Sequence, residues 1–445
     1  MKIKPFKTFI IMKRYLLLVL SALMLIVSCQ EKQKVTTAQV SVALTYENAA
    51  FAVEGINVSV KETASGVVYD ALTDAQGVAS FVLSAGLYEA SASYKVSADG
   101  VQDIYNGLNT NVVVTAGVDE TYPLVLSKSS ASQIIIKELY NTGCTTAEGK
   151  SFANDAYVIL YNNSDQPADA SEIGFAFATP FNSNSSSKYL VDGALSYEAE
   201  GWIPAGYSIW WFQCPVIIEP YSQILICISG CTDNTVTVPA SVDLSGADYY
   251  MYHPESGFTS ASKYPAPPAS MPVDHYLQTY LYAMGNAWPL SNTSPAFYII
   301  RKSGIEEFTK DSNNYDTTEN VKLPVVKVPM EWVVDAVEVY NQTTADKNGK
   351  RFPASIDAGY VEINPKNGYT AYRNVDKAAT EALAENEGKL VYNYAGGTED
   401  VEGTTDPSGI DAEASIANGA HIIYMDSNNS SNDFHQRKVA SIKKK

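Results

Sequence analysis

The chain has 445 residues and is acidic, with 49 Asp and Glu against 31 Lys and Arg and a formal net charge of −18. A surface of this sign repels nucleic acid and anionic lipid headgroups, so neither is an expected partner of the folded part. The length allows two or three domains, and the excess of Tyr (30) over Phe (14) favours half-exposed strands and wet binding surfaces.

The first 29 residues have the pattern of an export signal. Two basic residues precede a charge-free apolar run over residues 15–27, which is shorter than the roughly 20 residues of a spanning helix. Leu-Ile-Val-Ser-Cys at residues 25–29 resembles the lipobox of bacterial lipoproteins. The resemblance implies acylation of Cys29 and a lipid anchor in the outer membrane, facing the cell surface or the periplasm. An ordinary secretory signal is the alternative, and residues 30–37 are expected to form a polar tether.

Four further cysteines follow, and in an oxidising compartment they permit three disulfide connectivities. Cys144 and Cys231 each follow a Gly at a predicted strand end, which indicates a pair. Cys227 lies in an apolar run and is expected to be a buried free thiol. No histidine is near Cys227 and Cys231, so a zinc site is not expected there.

Residues 38–128 alternate apolar and polar side chains over short runs between Gly turns, which predicts a small β-sandwich. Thr-Asp-x-x-Gly-x-Ala-x-Phe at residues 73–81 and Ala-Gly-x-Tyr at residues 85–88 resemble the carboxypeptidase regulatory-like (prealbumin-like) fold. Modules of that family act as stalks or spacers, so the resemblance implies such a role. The Ser-rich residues 127–132 predict a linker.

Residues 132–340 predict a second β-sandwich with long loop insertions. A strand with an acidic residue at 134–141, a strand ending in Tyr-Asn at 156–163 and a Pro-x-Gly hairpin at 204–206 resemble the lamin-tail type of β-sandwich. The match departs from that family at Ile159, where an acidic residue is usual.

The C-terminal part carries a third resemblance. Residues 332–340, 406–411 and 431–435 resemble DUF4876, a family of Bacteroidetes lipoproteins of unknown function. Genes of that family tend to accompany TonB-dependent transporters of the outer membrane, so the resemblance implies a part in uptake. Residues 341–445 are expected to form a mixed extension, either separate or part of the second domain. They contain one predicted helix, over residues 376–387.

No motif for catalysis, cofactor binding or metal binding stands out. The four histidines (His253, His275, His421, His435) are scattered, and neither a Gly-x-Ser-x-Gly elbow nor a phosphate loop occurs. Residues 426–433 offer alternate side-chain oxygens as a calcium loop does. They lack the Gly at the sixth position and have Arg437 at the twelfth, so an Asn- and Ser-rich turn is expected.

Aromatic residues are the strongest pointer to binding. In a strand, Trp211 must face away from Trp210 and Phe212. More rings follow in and beside a Pro-rich irregular region over residues 254–295, where an aromatic platform could stack sugars or flat ligands. The alternative is that these rings fill the sandwich and hold the loop against it. The candidate ligand-binding residues are Tyr249, Tyr250, Tyr252, Tyr280, Tyr282 and Trp288.

The sequence therefore predicts an all-β protein with two β-sandwiches in tandem. The predicted function is that of a non-enzymatic envelope lipoprotein without a cofactor, which binds a small molecule, a glycan or a partner, beside a TonB-dependent transporter. A structural spacer or adhesin-like module is the first alternative. A hydrolase that acts through two facing carboxylates is the second.

Overall fold

The computed structural model describes residues 36–98, 101–130, 132–392 and 406–443. The predicted signal peptide, Cys29 and most of the predicted tether lie outside these residues. The described chain is mainly β-structure with a few short helices, which confirms the all-β prediction. In the described ranges, no helix has both the length and the apolar character needed to cross a membrane.

The N-terminal sandwich consists of two sheets. In the first, the central strand pairs with the three others: β1 (Thr37–Tyr46) with β2 (Ala49–Ala50), β5 (Val78–Ser84) and β8 (Glu120–Val125). The second is antiparallel, in the order β4 (Val68–Leu72), β3 (Asn57–Glu62), β6 (Gly86–Ala98), β7 (Val101–Val114) and β9 (Ser127–Ser130). Alternate side chains such as Val40, Val42 and Phe81 point into one shared core, as the period-two pattern predicts.

The turn before β5 shows how local chemistry sets the register of this sandwich. Asp74 Oδ1 accepts the N–H groups of Gln76 and Val78, at 2.9 and 3.0 Å. Gly77 has a φ of +76°, and a Cβ there would lie 2.1 Å from the carbonyl oxygen of Phe51. Only glycine fits this turn.

The predicted linker at residues 127–132 is wrong over its first four residues. Ser127–Ser130 form β9, which pairs with β7 at the edge of the second sheet. Lys128 and Asp103 form an ion pair across this edge, with 2.8 Å between Nζ and Oδ2. Serine side chains suit a solvated edge strand as well as a loop, so composition alone could not separate the two.

The second sandwich has two six-stranded sheets. One runs in the order β22 (Tyr249–Tyr250), β21 (Gln223–Cys227), β13 (Tyr157–Asn162), β10 (Ile134–Tyr140), β29 (Thr370–Arg373) and β30 (Phe434–Arg437). The other runs in the order β23 (Gln278–Thr279), β19 (Trp210–Trp211), β15 (Ile173–Phe177), β24 (Ala296–Arg301), β27 (Val333–Asn341) and β28 (Val361–Ile363). Strands β28 to β30 come from the predicted C-terminal extension, so this segment completes both sheets.

Central strands of this sandwich are buried along their whole length. In β10, Ile134 and Ile136 enter the core between the sheets, whereas Ile135 enters a separate cluster on the outer face. Chain from the C-terminal part, including Ile410 and Tyr424, covers that face. Burial on both faces explains a continuous apolar run in place of alternation.

Shorter elements surround the two large sheets. The remaining strands pair as β11 (Cys144–Thr145) with β12 (Ser151–Phe152), β14 (Ala168–Asp169) with β20 (Ile217–Ile218), β16 (Leu190–Val191) with β17 (Ala194–Leu195), and β18 (Trp202–Gly206) with β26 (Val325–Pro329). Strand β26 also pairs with β25 (Tyr315–Asp316). In the described ranges the α-helices are α1 (Ile305–Lys310), α2 (Lys377–Ala382), α3 (Ala412–Ala417) and α4 (Ser430–Asp433). The 3₁₀ turns of the same ranges are Asn234–Val236, Val273–His275, Ser312–Asn314, Met330–Trp332, Gln342–Lys347 and Ala384–Asn386.

The predicted helix over residues 376–387 is correct at its start and too long at its end. Asp376 caps α2 by accepting the N–H of Ala379 at 3.0 Å. The helix ends because Leu383 is extended, with φ −71° and ψ 114°, and a 3₁₀ turn follows. Helices α1, α3 and α4 were not predicted, because none is longer than six residues and periodicity needs a longer window.

The two sandwiches contact each other through polar side chains. The Tyr360 hydroxyl donates to Glu89 Oε2 at 2.8 Å, and the Lys61 ammonium donates to the Tyr360 hydroxyl at 3.3 Å. The Asn106 amide, which is buried, donates to the carbonyl oxygen of Ser427. These bonds hold β3, β6 and β7 against the C-terminal part of the second sandwich.

Candidate functional site

The rings predicted to bind a ligand are mostly part of the core. Tyr249, Tyr250 and Trp288 are buried, and the Trp288 indole donates to the carbonyl oxygen of Ser208 at 3.2 Å. Burial raises the pKa of Tyr249 to about 12. Tyr282 packs against a second core and donates to the carbonyl oxygen of Ala205 at 2.8 Å. The burial of these four rings supports the alternative interpretation, in which the rings fill the sandwich and do not bind a ligand.

Two of the six predicted residues are accessible, and they lie in different surroundings. Tyr280 is 38% exposed and lies beside Lys310, whose Nζ is 5.7 Å from its ring centroid. Tyr252 is half-buried and stacks on Tyr250, with 5.3 Å between the ring centroids. Tyr252 lines a cavity, and Tyr280 does not line that cavity.

This cavity, here called the aromatic cleft, is the candidate site. It has a volume of about 230 Å³ and lies where the Pro-rich loop crosses strand β19. Ten residues line it: Trp210, Tyr252, His253, Pro254, Ser256, Phe258, Thr259, Ser260, Ala261 and Tyr264. Its volume is below the roughly 300–1,000 Å³ of pockets for drug-sized ligands, so it suits a ligand of about one ring.

Three stacked rings form the apolar side of the aromatic cleft. Phe258 lies 5.8 Å from both Trp210 and Tyr264, with interplanar angles of 29° and 19°. Trp210 and Phe258 are buried, and Tyr264 is half-buried. The Tyr264 hydroxyl accepts the backbone N–H of Trp288 at 2.9 Å, which holds the ring in place. A packed set of rings presents stacking surface at little cost in side-chain entropy.

Local hydrogen bonds shape the loop around these rings. Ser256 Oγ accepts the N–H of Phe258 at 3.1 Å. The backbone carbonyl oxygen of Asn286 accepts the N–H groups of Thr259 and Ser260, at 2.9 and 3.0 Å. Trp210 comes from β19, which pairs with β15 and β23 and directs this side chain inward. The loop is therefore an ordered wall of the cleft.

Polar side chains line the aromatic cleft beside the rings. His253 Nδ1 lies 2.9 Å from the carbonyl oxygen of Thr279 and 3.3 Å from the N–H of the same residue. A neutral imidazole nitrogen cannot both donate and accept a hydrogen bond. The contact with the carbonyl oxygen is the shorter one, so we assign the proton to Nδ1, which donates to that oxygen. Nε2 is then an acceptor. Trp210 Nε1 is buried without a hydrogen-bond partner among the described residues.

Two of the buried acidic groups, Glu338 and Asp335, are engaged in ion pairs. Glu338 accepts from Arg351 Nε at 2.8 Å and lies 3.0 Å from Lys350 Nζ. These cations, with the backbone N–H of Arg351, lower the pKa of Glu338 although its burial alone would raise it. Asp335 is paired with Arg373 in the same interior. Such groups contribute to the packing of the interior and do not line the aromatic cleft.

Residues 426–433, the possible calcium loop, form a turn and helix α4, which Asn429 caps by accepting the N–H of Ser431 at 3.0 Å. Asp433 Oδ2 accepts the N–H groups of Ser427 and Asn429, at 2.8 and 3.2 Å, and α4 begins at Ser430. Across the described ranges, no cluster of three or more His, Cys, Asp or Glu side chains could hold a metal ion. The carboxylate that a cation would need is used by backbone donors.

The predicted disulfide between Cys144 and Cys231 is wrong. All four cysteines in the described ranges are free thiols. Cys227 is a buried free thiol, as expected, and its Sγ lies 3.3 Å from the carbonyl oxygen of Ser229. The glycine that precedes each cysteine marks a turn, with φ of +62° at Gly143 and +67° at Gly230. A turn before each cysteine does not by itself place the two cysteines at the Cα separation that a disulfide requires.

Among the lining residues that the sequence did not indicate as ligand-binding are His253, Phe258 and Tyr264. All three lie in or beside the Pro-rich loop, whose composition was the available signal. The loop packs against Trp210 of β19, which lies more than 40 positions earlier in the chain. The position of Trp210 therefore determines which rings of the loop face the cavity. Larger cavities occur at other places, including one of about 400 Å³ next to Lys128 and Met330. Among the described residues, no aromatic side chain lines that larger cavity, whereas three stacked rings line the cleft.

Comparisons with known proteins give a family and a fold. The family model described as "Protein of unknown function (DUF4876)" matches residues 219–441. The crystal structure of a DUF4876 family protein from Bacteroides thetaiotaomicron VPI-5482 is similar, with a TM-score of 0.51 and 19% sequence identity over 89% of this chain and 94% of that one. At this identity the likeness shows the fold alone.

Two other comparisons add nothing to this. The major pilin subunit of Bacillus cereus has a TM-score of 0.15 and 13% identity, covering 42% of this chain and 52% of that one, and carries no argument. No curated protein matches the chain.

Proposed function

We propose that this chain, which belongs to the DUF4876 family of proteins of unknown function, is a non-enzymatic binding protein. It holds a small ring-shaped ligand in the aromatic cleft. The observation that carries the proposal is the stack of Trp210, Phe258 and Tyr264 along one side of a cavity of about 230 Å³. Small-molecule sites combine aromatic walls with polar groups that orient the ligand, and the cleft has both.

The test blocks the cleft from its rim. Ala261 is an exposed lining residue, so Ala261→Trp adds bulk at the entrance without removing core contacts. Ala194→Trp on the β16–β17 hairpin is the matched control, because Ala194 is also exposed. Ligand-observed NMR with a library of small ring compounds should find binders that Ala261→Trp loses and Ala194→Trp keeps. Equal binding by both variants would exclude the cleft.

The proposal includes an address. The mature chain is anchored by acylated Cys29 in the outer membrane and acts beside a TonB-dependent transporter. The lipobox-like segment at residues 25–29 and the family resemblance support this. Mass spectrometry of the mature amino terminus should find an acylated cysteine, and a free terminus at another residue would contradict the anchor. Co-purification from envelope membranes tests the transporter.

A spacer is the second candidate function. The observation that favours it is the polar interface in which Tyr360 joins Glu89 and Lys61, because such bonds set the angle between two sandwiches. Small-angle scattering distinguishes flexible from fixed sandwiches. A spacer also predicts that no compound of the ring library binds in the aromatic cleft.

A further inference from the structure

One end of the N-terminal sandwich is formed by three chain connections and the start of β1. The Thr63 N–H, in the β3–β4 turn, donates to the carbonyl oxygen of Leu87 at 3.0 Å, and Leu87 is opposite Val113 in the pairing of β6 with β7. Ser84, at the end of β5, pairs with Thr37 at the start of β1. The β3–β4 turn, the β5–β6 turn and the β7–β8 loop therefore meet where β1 begins. We call this end the N-terminal tip, and it comprises residues 36–37, 62–68, 82–87 and 113–120.

Exposed aliphatic side chains are concentrated at the N-terminal tip. Between 46% and 66% of each residue is accessible, although the second sandwich is present. Single exposed apolar residues are ordinary on a protein surface, whereas a group of them marks a surface that contacts another apolar body. Two further exposed aliphatic residues of this sandwich, Leu72 and Val125, lie toward the opposite end. The six at the tip are Val67, Val68, Val82, Leu87, Val113 and Val118.

The N-terminal tip is also the end at which the chain arrives from its predicted export signal. Thr36 is the first described residue, and a Cβ on Gly117 of the tip would lie 3.4 Å from Thr36 Cγ2. Only seven residue steps separate Thr36 from Cys29, and they span at most about 25 Å when fully extended. An acyl chain on Cys29 therefore holds the tip nearer to the lipid than the Asp74–Gly77 turn, which lies at the other end of the sandwich.

The charges of the N-terminal tip restrict the kind of lipid that it can contact. Asp119 Oδ1 accepts the backbone N–H of Gln39 at 2.8 Å, and Glu120 Oε2 accepts the Tyr122 hydroxyl at 2.8 Å. Negative charge at the tip repels anionic headgroups, so the tip suits a leaflet of zwitterionic phospholipid. The carboxylates at the tip are Glu62, Asp119 and Glu120.

We propose that the N-terminal tip rests on the leaflet that holds the acylated Cys29, with its aliphatic side chains in the interfacial region of a zwitterionic phospholipid bilayer. This inference rests on the lipid anchor of the proposed function and adds a second membrane contact to it. The contact is weak by itself, because each side chain is already about half-buried. The anchor makes the contact intramolecular, which raises the effective concentration of lipid at the tip. Such a contact orients the sandwich on the membrane, whereas the tether alone would let it rotate.

The test places a tryptophan at the N-terminal tip, because all five native tryptophans lie after residue 200. The acylated mature chain with Val118→Trp is reconstituted in phosphatidylcholine vesicles, with or without brominated acyl chains, which quench tryptophan on contact. Ala75→Trp, exposed in the turn at the opposite end, is the matched control. Relative to the wild type, the added fluorescence of Val118→Trp should be quenched by the brominated lipid and shifted to shorter wavelength. The added fluorescence of Ala75→Trp should show neither change.

A second set of variants tests the aliphatic contact itself. In the Val118→Trp protein, the double change Leu87→Thr and Val113→Thr should reduce the quenching, because threonine suits an exposed strand position but is less apolar. Val125→Thr, at an exposed position toward the opposite end, should leave the quenching unchanged. If Val118→Trp does not fold, Ala116→Trp in the same exposed loop replaces it.

The outcomes distinguish this inference from the anchor on which it rests. Equal quenching of Val118→Trp and Ala75→Trp, or quenching of neither, overturns the inference and leaves the anchor standing if the protein is acylated. If mass spectrometry finds no acyl chain on Cys29, the anchor and the inference fail together. A dimer of the acyl-free chain in sedimentation, abolished by Leu87→Thr with Val113→Thr, would assign the tip to a second copy and also overturn the inference. Ring binding in the aromatic cleft is measured separately and does not depend on these results.

Discussion

Asp155 offers a quantitative test of the interior of the second sandwich. Its carboxyl group is fully buried, Oδ2 accepts hydrogen bonds from the hydroxyls of Ser241 and Tyr140, and Oδ1 has no partner among the described residues. Burial raises the pKa of Asp155 from 3.8 to about 6, although these two hydrogen bonds act in the opposite direction. Asp155→Asn removes the ionisation and keeps the shape.

The sign of the effect follows from proton linkage. The folded state binds the proton of Asp155 more tightly than the unfolded chain does. Stability from this group is therefore complete below about pH 4 and is lost as the pH rises through about 6. A shift of about two units at about 1.4 kcal/mol each means that ionised Asp155 costs the folded state about 3 kcal/mol at neutral pH. Asparagine avoids this cost, so Asp155→Asn should gain stability relative to the wild type as the pH rises.

Urea unfolding followed by tryptophan fluorescence is the appropriate assay, because all five tryptophans lie after residue 200 and therefore report on the second sandwich. The difference in unfolding free energy between Asp155→Asn and the wild type should grow by up to about 3 kcal/mol between about pH 4 and pH 7. Asp274→Asn, which removes an exposed carboxylate, is the control. A difference that does not change with pH would refute the assignment of a raised pKa to Asp155.

Three further predictions follow from burial and pairing. Trp288→Ala should lower the unfolding free energy of the second sandwich by about 3–5 kcal/mol. Tyr280→Ala, at the exposed ring, should change it by no more than about 0.5 kcal/mol. Equal losses of unfolding free energy in urea titrations would contradict the difference in burial between the two rings. Glu338→Gln should cost about 3–5 kcal/mol because the buried Arg351 loses its counter-charge, and a loss under about 1 kcal/mol would show that water compensates. Residues 38–130, which include β9, should fold alone with a cooperative thermal transition, and an unfolded NMR spectrum would reject the fragment.

The aromatic residues show how far sequence reasoning reached toward the candidate site. The sequence points to the Pro-rich loop and to Tyr252, which lines the aromatic cleft. It points equally to Tyr249, Tyr250 and Trp288, which are buried. Composition identifies a segment rich in rings, whereas the direction of each ring depends on the strand against which the loop packs.

What the sequence by itself determined is local. The period-two pattern at Val40 and Val42 and the Asp74–Gly77 turn predict strands and a hairpin, because side-chain alternation and backbone dihedrals act within a few residues. The tertiary structure alone decided what covers the outer face of β10, and that the C-terminal residues complete both large sheets. It also decided that Trp210 meets Phe258 across 48 positions of the chain. Such contacts depend on the packing of whole layers, and no local pattern encodes which residues two distant segments bring together.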